Sequence, residues 1–394
     1  MSRRRDEGGG LPWLVVLPMA ALLAVGVVFV RSAAGDDRAI RQLVFVAAGC
    51  VASIVVLRVG VRRLAELSFA MYAGLLVLLV VLPFVGTDLG TGSVRWLGLP
   101  FGFNLQPSEL MKVGLVLALA RYLQHRGVTN TWRSYAMPFV LGAVPWYFVM
   151  RQPDLGSSLV LLPLAMGMVT VSGARMRHVF ALAGATAGLV LAAYHVPGIL
   201  LDYQKQRLDA FMTPVPQLVA QAREQRIQRE HDAAREVEQE LLRLKQGTGY
   251  QQFYSVVAIG SGGLDGAGLG KGLQNHLNRL PVRESDFIFA VIGEEWGLAG
   301  TSFVVFLYWW LLSAILGVAR DTREPFGRLV CVGVAAMLGS QALMNLGIAT
   351  GLLPVTGLPL PFISYGGSSV LASMLAVACV ADVARRREAV FFES

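Results

Sequence analysis

Apolar blocks of about twenty residues recur along this 394-residue chain, and that block length constrains its fold more than any other feature. An α-helix of about twenty residues spans a hydrocarbon core roughly 30 Å thick. In lipid, only helices and closed barrels satisfy every backbone polar group. The blocks fall at roughly 11–30, 40–57, 65–85, 108–123, 135–150, 155–172, 178–196, 287–319, 329–350 and 364–384. They predict an all-α integral membrane protein, a bundle of about ten transmembrane helices with a long loop between spans seven and eight. Apolar residues make up 55% of the chain and charged residues 15%, which argues against a soluble protein of this length. The first block, Leu11–Val30, follows Arg3, Arg4 and Arg5. It is longer than a signal-peptide core and ends without a convincing small-residue cleavage pattern, so it reads as a retained first span that also targets the chain.

Ten spans put both termini on one side, and arginine placement tests the parity. With the N-terminus inside, the inner segments hold Arg3–Arg5, Arg58, Arg62, Arg63, Arg121, Arg126, Arg133, Arg175, Arg177, Arg320, Arg323, Arg328 and Arg385–Arg387. The short outer loops hold Arg31, Arg38, Arg41, Arg95 and Arg151. Seventeen against five puts both termini on the cytoplasmic side. The net charge of +8 therefore sits in short clusters that set topology, and no nucleic-acid partner is expected. Residues 1–196 carry spans one to seven, 197–286 form an extracytoplasmic loop, and 287–394 carry spans eight to ten and a cytoplasmic tail.

The long loop has two recognisable parts. Gln217–Gln246 is dense in charge and free of Gly and Pro, with Ile227, Ala234, Val237, Leu241 and Leu244 at helical spacing, so it reads as an inserted extramembrane helix. A glycine-rich stretch, residues 260–272, follows. The phosphate-loop spacing fails there, because Asp265 stands where the first glycine belongs and Gly272 follows Lys271. A flexible loop that lets backbone approach a ligand is the better reading.

Ionisable groups within or at the ends of spans are costly, so they mark candidate chemistry. Span four opens with Gln106-Pro-Ser-Glu109, and Lys112 lies three residues beyond Glu109, so the two share a helix face and can pair. Arg151-Gln-Pro-Asp154 ends span five, Arg95 lies in an outer loop, and Asp286 opens span eight. Parity gathers all of them, with the glycine-rich loop, at the outer face. Carboxylates, cations and that loop together suit an anionic lipid-linked substrate: cations clamp phosphate and a carboxylate takes a proton from an attacking hydroxyl. Glu294 and Glu295 read as interfacial residues pairing with loop arginines, and Gln341 with Asn345 as interhelical hydrogen bonding. Tyr308-Trp309-Trp310 reads as lipid-facing or packing surface. Neither the five histidines nor Cys50, Cys331 and Cys379 have metal-ligand spacing, and the cysteines imply no disulfide.

Five segments occur in order: Gln106-Pro-Ser-Glu109, Gln152-Pro-Asp-Leu-Gly156, Ala258-Ile-Gly-Ser-Gly-Gly-Leu264, Ser285-Asp-Phe-Ile-Phe-Ala290 and Pro359-Leu-Pro-Phe-Ile-Ser-Tyr-Gly-Gly-Ser368. Together they resemble the SEDS family (shape, elongation, division and sporulation) over nearly the whole chain. Pro359 and Tyr203-Gln-Lys-Gln-Arg207 resemble its elongation branch more than its division branch. The helix at 217–246 departs from that pattern, whose loop is much shorter.

The resemblance implies ten spans and polymerisation of lipid II, the undecaprenyl-pyrophosphate-linked disaccharide-peptide, with a class B penicillin-binding protein and other elongation-complex membrane proteins as partners. It matches the family's essential aspartate to Asp286. Turning an α-linked pyrophosphate into a β-1,4 bond requires inversion, hence one in-line attack. Asp286 is then the expected base. Arg95, Lys112, Arg207, Lys271 and Arg279 are the expected pyrophosphate cations, with Glu109 and Asp154 beside them. A divalent cation, magnesium or manganese, could share that charge, although the sequence shows no dedicated cage. Two rivals are a lipid flippase, which needs polar groups through the midplane, and a scaffold for a transpeptidase, which needs no buried carboxylates.

Overall fold

The computed structural model describes residues 12–87, 94–99, 103–126, 132–175, 248–276 and 282–391, with residues 177 and 184 singly. The expected seventh span (apart from residue 184), the helix at 217–246, Arg207 and Arg279 lie outside the described residues. The order is α1 (Trp13–Ala34), α2 (Asp36–Val59), α3 (Val61–Val85), a hairpin of β1 (Leu97–Leu99) and β2 (Phe103–Leu105), α4 (Pro107–Arg126), α5 (Trp132–Arg151) and α6 (Leu155–Val171). Then come α7 (Thr248–Ser261), α8 (Leu273–His276), α9 (Ile288–Asp321), α10 (Pro325–Ala349) and α11 (Gly367–Phe391).

Nine of the ten expected spans match these helices in order, shifted by a few residues at their ends. Six of them (α1, α2, α3, α9, α10 and α11) are long and apolar enough to cross a membrane by length and composition. The chain is a multi-pass helical membrane protein. Its first two joints are single residues, Gly35 (φ 85°) and Gly60 (φ 80°), because only glycine enters this left-handed region without a Cβ penalty. In α4, Leu115 through Ala120 are all buried, so protein surrounds that helix on every side. On α2 only Ala39, Gln42 and Gly49 are buried, leaving Leu43, Val51 and Ile54 facing outward. Small residues set the close approaches. A Cβ on Gly26 would come within 2.6 Å of the Phe362 carbonyl, and one on Gly333 within 2.7 Å of Met168 Sδ.

Two ends are distinguishable. At one, Asp382 of α11 accepts from Val61 N (2.7 Å) and Arg386 Nε (2.7 Å), tying the α2–α3 joint to the last helix. The other, hereafter the site end, carries the α1–α2 joint, the hairpin, α7 and residues 282–287.

Three features differ from the sequence expectation. The hairpin pairs Leu97 with Leu105, Gly98 with Asn104 and Leu99 with Phe103. Helix α7 folds back against α9, with Ser255 and Ala258 fully buried and the Ser255 hydroxyl donating to Ala349 O at 2.7 Å. The third is that α9 is broken at Gly297 (φ 64°, ψ −157°), and the glycine-rich segment fills the break. The Leu298 and Ala299 amides donate to the carbonyls of Gly263 (2.9 Å) and Leu264 (3.2 Å), while Ala267 and Gly268 donate to the carbonyls of Glu294 and Glu295 (both 2.9 Å). The two carbonyls and two amides freed where α9 breaks, at 294–298 and 295–299, thus each find a new partner, as a buried backbone requires. A Cβ on Gly266 would lie 2.2 Å from Glu295 O, and one on Gly262 would clash with Gly293 O, so these two glycines admit α9 itself.

Candidate active site

Asp286 ends a segment whose main chain is held at every step. The Glu284 carbonyl accepts from Tyr365 N (2.8 Å), that of Ser285 accepts from the Ser364 hydroxyl, and that of Asp286 accepts from Asn345 Nδ2 (2.9 Å). The carboxylate is partly buried and accepts from Ser285 Oγ at 3.1 Å. Phe287, not Asp286, holds the N-cap position of α9.

The turn that grips this segment is Pro359–Ser368. Phe362 in its centre is buried at φ 68°, a region costing about 1–3 kcal/mol for a side-chain-bearing residue. Surrounding bonds hold it there. The Tyr308 hydroxyl donates to Pro361 O, Leu360 N donates to Ser364 Oγ (2.8 Å), and Gln42 Nε2 of α2 donates to Ser364 O (3.1 Å). Of the aromatic run in α9, Tyr308 is thus interior while Trp309 is exposed.

Two arginines flank the segment. Arg38 pairs with Glu284 and lies 5.7 Å from the centre of the Tyr365 ring, while Arg283 Nε donates to Ala33 O at 2.7 Å. Burial first, and the Arg38 charge second, lower the Arg283 pKa below the ordinary guanidinium value. Sequence reading used Arg38 only to orient the chain and passed over Arg283, although its position three residues before Asp286 was a usable signal. Arg95 lies at the start of the hairpin, partly buried, with its Nε sealed and without a hydrogen-bond partner among the described residues. Lys271 is exposed on the glycine-rich segment.

Glu109, Lys112 and Asp154 form a second, enclosed cluster. Lys112 Nζ donates to Glu109 Oε1 (2.6 Å) and Gln341 Oε1 (3.2 Å), and the pair is 1% and 2% exposed. Ser157 Oγ donates to Glu109 at 3.3 Å. Asp154 caps α6 by accepting from Ser157 N (3.1 Å) and also accepts from Gln106 Nε2 (2.7 Å) and Ser108 Oγ (2.8 Å). All three are gathered at the site end, but they bind α4, α6 and α10 together rather than facing an open space. Gln341 makes the expected interhelical bond, to Lys112 of α4, whereas Asn345 donates to the main chain of Asp286 and Leu358 outside the helices. Glu294 and Glu295 are not interfacial: they are buried, Glu294 accepting from Gln274 N (2.6 Å) and Glu295 from Gly270 N (3.0 Å) and Ser32 Oγ (2.6 Å). Among the described residues no three His, Cys, Asp or Glu side chains converge as a cation cage.

The family model described as a cell cycle protein, FtsW/RodA/SpoVE, matches residues 12–389. A probable peptidoglycan glycosyltransferase FtsW of Geobacter metallireducens is 34% identical over 388 residues, covering 95% of this chain and 94% of the relative. Stage V sporulation protein E of Bacillus subtilis is 32% identical over 94% of this chain and 96% of its own. Among solved structures, a chain of a peptidoglycan synthase complex that couples polymerization and crosslinking is similar at TM-score 0.76 and 31% identity, over 96% of this chain and 98% of its own. The rod shape determining protein RodA of Thermus thermophilus is similar at TM-score 0.68 and 31% identity over the same shares. Nearly the full length is matched in every comparison, and the chain belongs to the FtsW/RodA/SpoVE family.

Proposed function

We propose that this chain is a peptidoglycan glycosyltransferase that polymerises lipid II into glycan strands, with Asp286 as the base. The observation that carries this reading is the placement of Asp286: a partly exposed carboxylate on a main chain gripped at three successive carbonyls, with Arg38 and Arg283 beside it. The names of the relatives support the reaction class. The arginine asymmetry supports a bacterial inner-membrane protein with both termini cytoplasmic and the site end outside, where lipid-linked disaccharide is displayed.

Asp286 accepts the proton of the acceptor hydroxyl as that oxygen attacks the anomeric carbon of the donor. The glycosyl–oxygen bond to pyrophosphate breaks on the opposite face, and the configuration inverts. Arg38, Arg283, Arg95 and Lys271 surround the leaving pyrophosphate, where positive charge counts most in the transition state. Arg207 and Arg279 extend that set in the loop outside the described residues. Glu109, Lys112 and Asp154 support the site through packing. A class B penicillin-binding protein is the proposed partner, which agrees with the synthase complex among the similar structures.

Pro359 and Tyr203–Arg207 favour a role in elongation. A division role is the second reading, favoured by the FtsW and SpoVE names of the curated relatives. Purified protein incubated with labelled lipid II, with and without a class B penicillin-binding protein, tests the activity. Glycan strands that fall roughly 100-fold or more with Asp286→Asn support it. Lipid movement across liposomes without polymer would replace the polymerase with a flippase.

A further inference from the structure

We propose that Asn345 is a positioning residue for Asp286, acting from inside the bundle without touching substrate. The inference rests on Asp286 being the base. Asn345 lies on α10, 59 positions away in sequence, and is fully buried. Its Nδ2 donates two bonds, to the carbonyl of Asp286 (2.9 Å) and to that of Leu358 (2.7 Å). One side-chain amide thus joins the residue that bears the carboxylate to the strand entering the Pro359–Ser368 turn. The two bonds also fix how the amide points, since reversing it would set Oδ1 against two carbonyl oxygens.

The other two grips on this segment come from the turn itself, through Ser364 and Tyr365. Of the three grips on these carbonyls, that of Asn345 is the one that comes from a membrane-spanning helix. One helical turn earlier, Gln341 Nε2 donates to Pro359 O (3.2 Å) while its Oε1 accepts from Lys112 (3.2 Å). A polar stripe on α10 therefore runs from the buried Glu109–Lys112 pair, along the Leu358–Pro359 main chain, to the backbone of Asp286. The stripe explains why a membrane helix carries a fully buried asparagine here: its two donors hold the base in register with whatever lies across the site. Displacement of a catalytic group by about 1 Å can cost roughly 100-fold in rate.

Two substitutions at Asn345 test the inference on the full-length purified protein with labelled lipid II, with Asp286→Asn in parallel. Asn345→Leu removes both donors while keeping the number and branching of the side-chain heavy atoms. Turnover of the folded fraction should fall roughly 100-fold while lipid II binding and KM change less than about 3-fold. Asn345→Asp supplies a readout that mere structural support would not move. The introduced carboxyl faces two carbonyls, and only its neutral form can donate a bond to one of them. Turnover relative to wild type at the same pH should be highest at low pH and decline as the carboxyl ionises, whereas Asn345→Leu should give a flat ratio.

Wild-type turnover in Asn345→Leu, a KM increase with unchanged turnover, or a flat ratio in Asn345→Asp would each overturn the proposal. If Asp286→Asn keeps polymerising, the base assignment falls first. If Asp286→Asn is inactive and Asn345→Leu is not, only the positioning role falls.

Discussion

Lys112 is 1% exposed within a membrane bundle and pairs with Glu109 at 2.6 Å. Removing one partner of such a pair leaves an unpaired charge in a low-dielectric interior, at roughly 3–5 kcal/mol. Lys112→Met should therefore unfold at markedly lower temperature in detergent micelles, and Glu109→Gln combined with Lys112→Met should recover most of the loss. If the double variant is no more stable than the single, the two charges do not hold each other and the enclosed cluster has been misassigned. The spacing of three between Glu109 and Lys112 was enough to foresee their pairing, because a helix brings such positions together. Their contact with Gln341, 229 positions away, was not foreseeable, nor was Arg38 beside Glu284. Local periodicity carries the first kind of contact, and only the packed fold carries the second.

Helices were readable for the same reason: a long apolar block has one solution in lipid. The hairpin was not, since strands of three residues leave too little alternation to detect. The glycine-rich segment was misread because glycine spacing announces a close approach without saying what approaches. Two neighbouring glycines now separate those meanings. A Cβ on Gly262 would come within 1.9 Å of Gly293 O, whereas one on Gly260 meets nothing within 4 Å. Gly262→Ala should destabilise by about 1–3 kcal/mol through overpacking against α9. Gly260→Ala, within α7, should be neutral or stabilise by about 0.5–1 kcal/mol through helix propensity. Thermal unfolding of the two variants compares them directly. Equal effects would mean that α7 and the broken helix do not pack as described.

At the scale of the whole molecule, the proposed reaction calls for the site end to lie outside the membrane. Lipid-linked disaccharide becomes glycan strand outside the cytoplasmic membrane, so a polymerase whose Asp286 faced the cytoplasm would have no acceptor strand. The arginine asymmetry favours the required orientation, and one helix supplies the test. Leu269, 52% exposed, lies in the segment docked near the start of α9, and Arg323 is exposed just beyond its end, so α9 separates them. Cys331 and Cys379 are buried, and Cys50, the exposed native cysteine, lies within a span. With Cys50→Ser as background, Leu269→Cys should react with a membrane-impermeant maleimide in intact spheroplasts. Arg323→Cys should react only after permeabilisation. Labelling of both from the same side would break the ten-span parity. Labelling of Arg323→Cys alone from outside would invert the molecule, turn the Arg38–Arg283 face toward the cytoplasm, and remove the polymerase reading along with the base assigned to it.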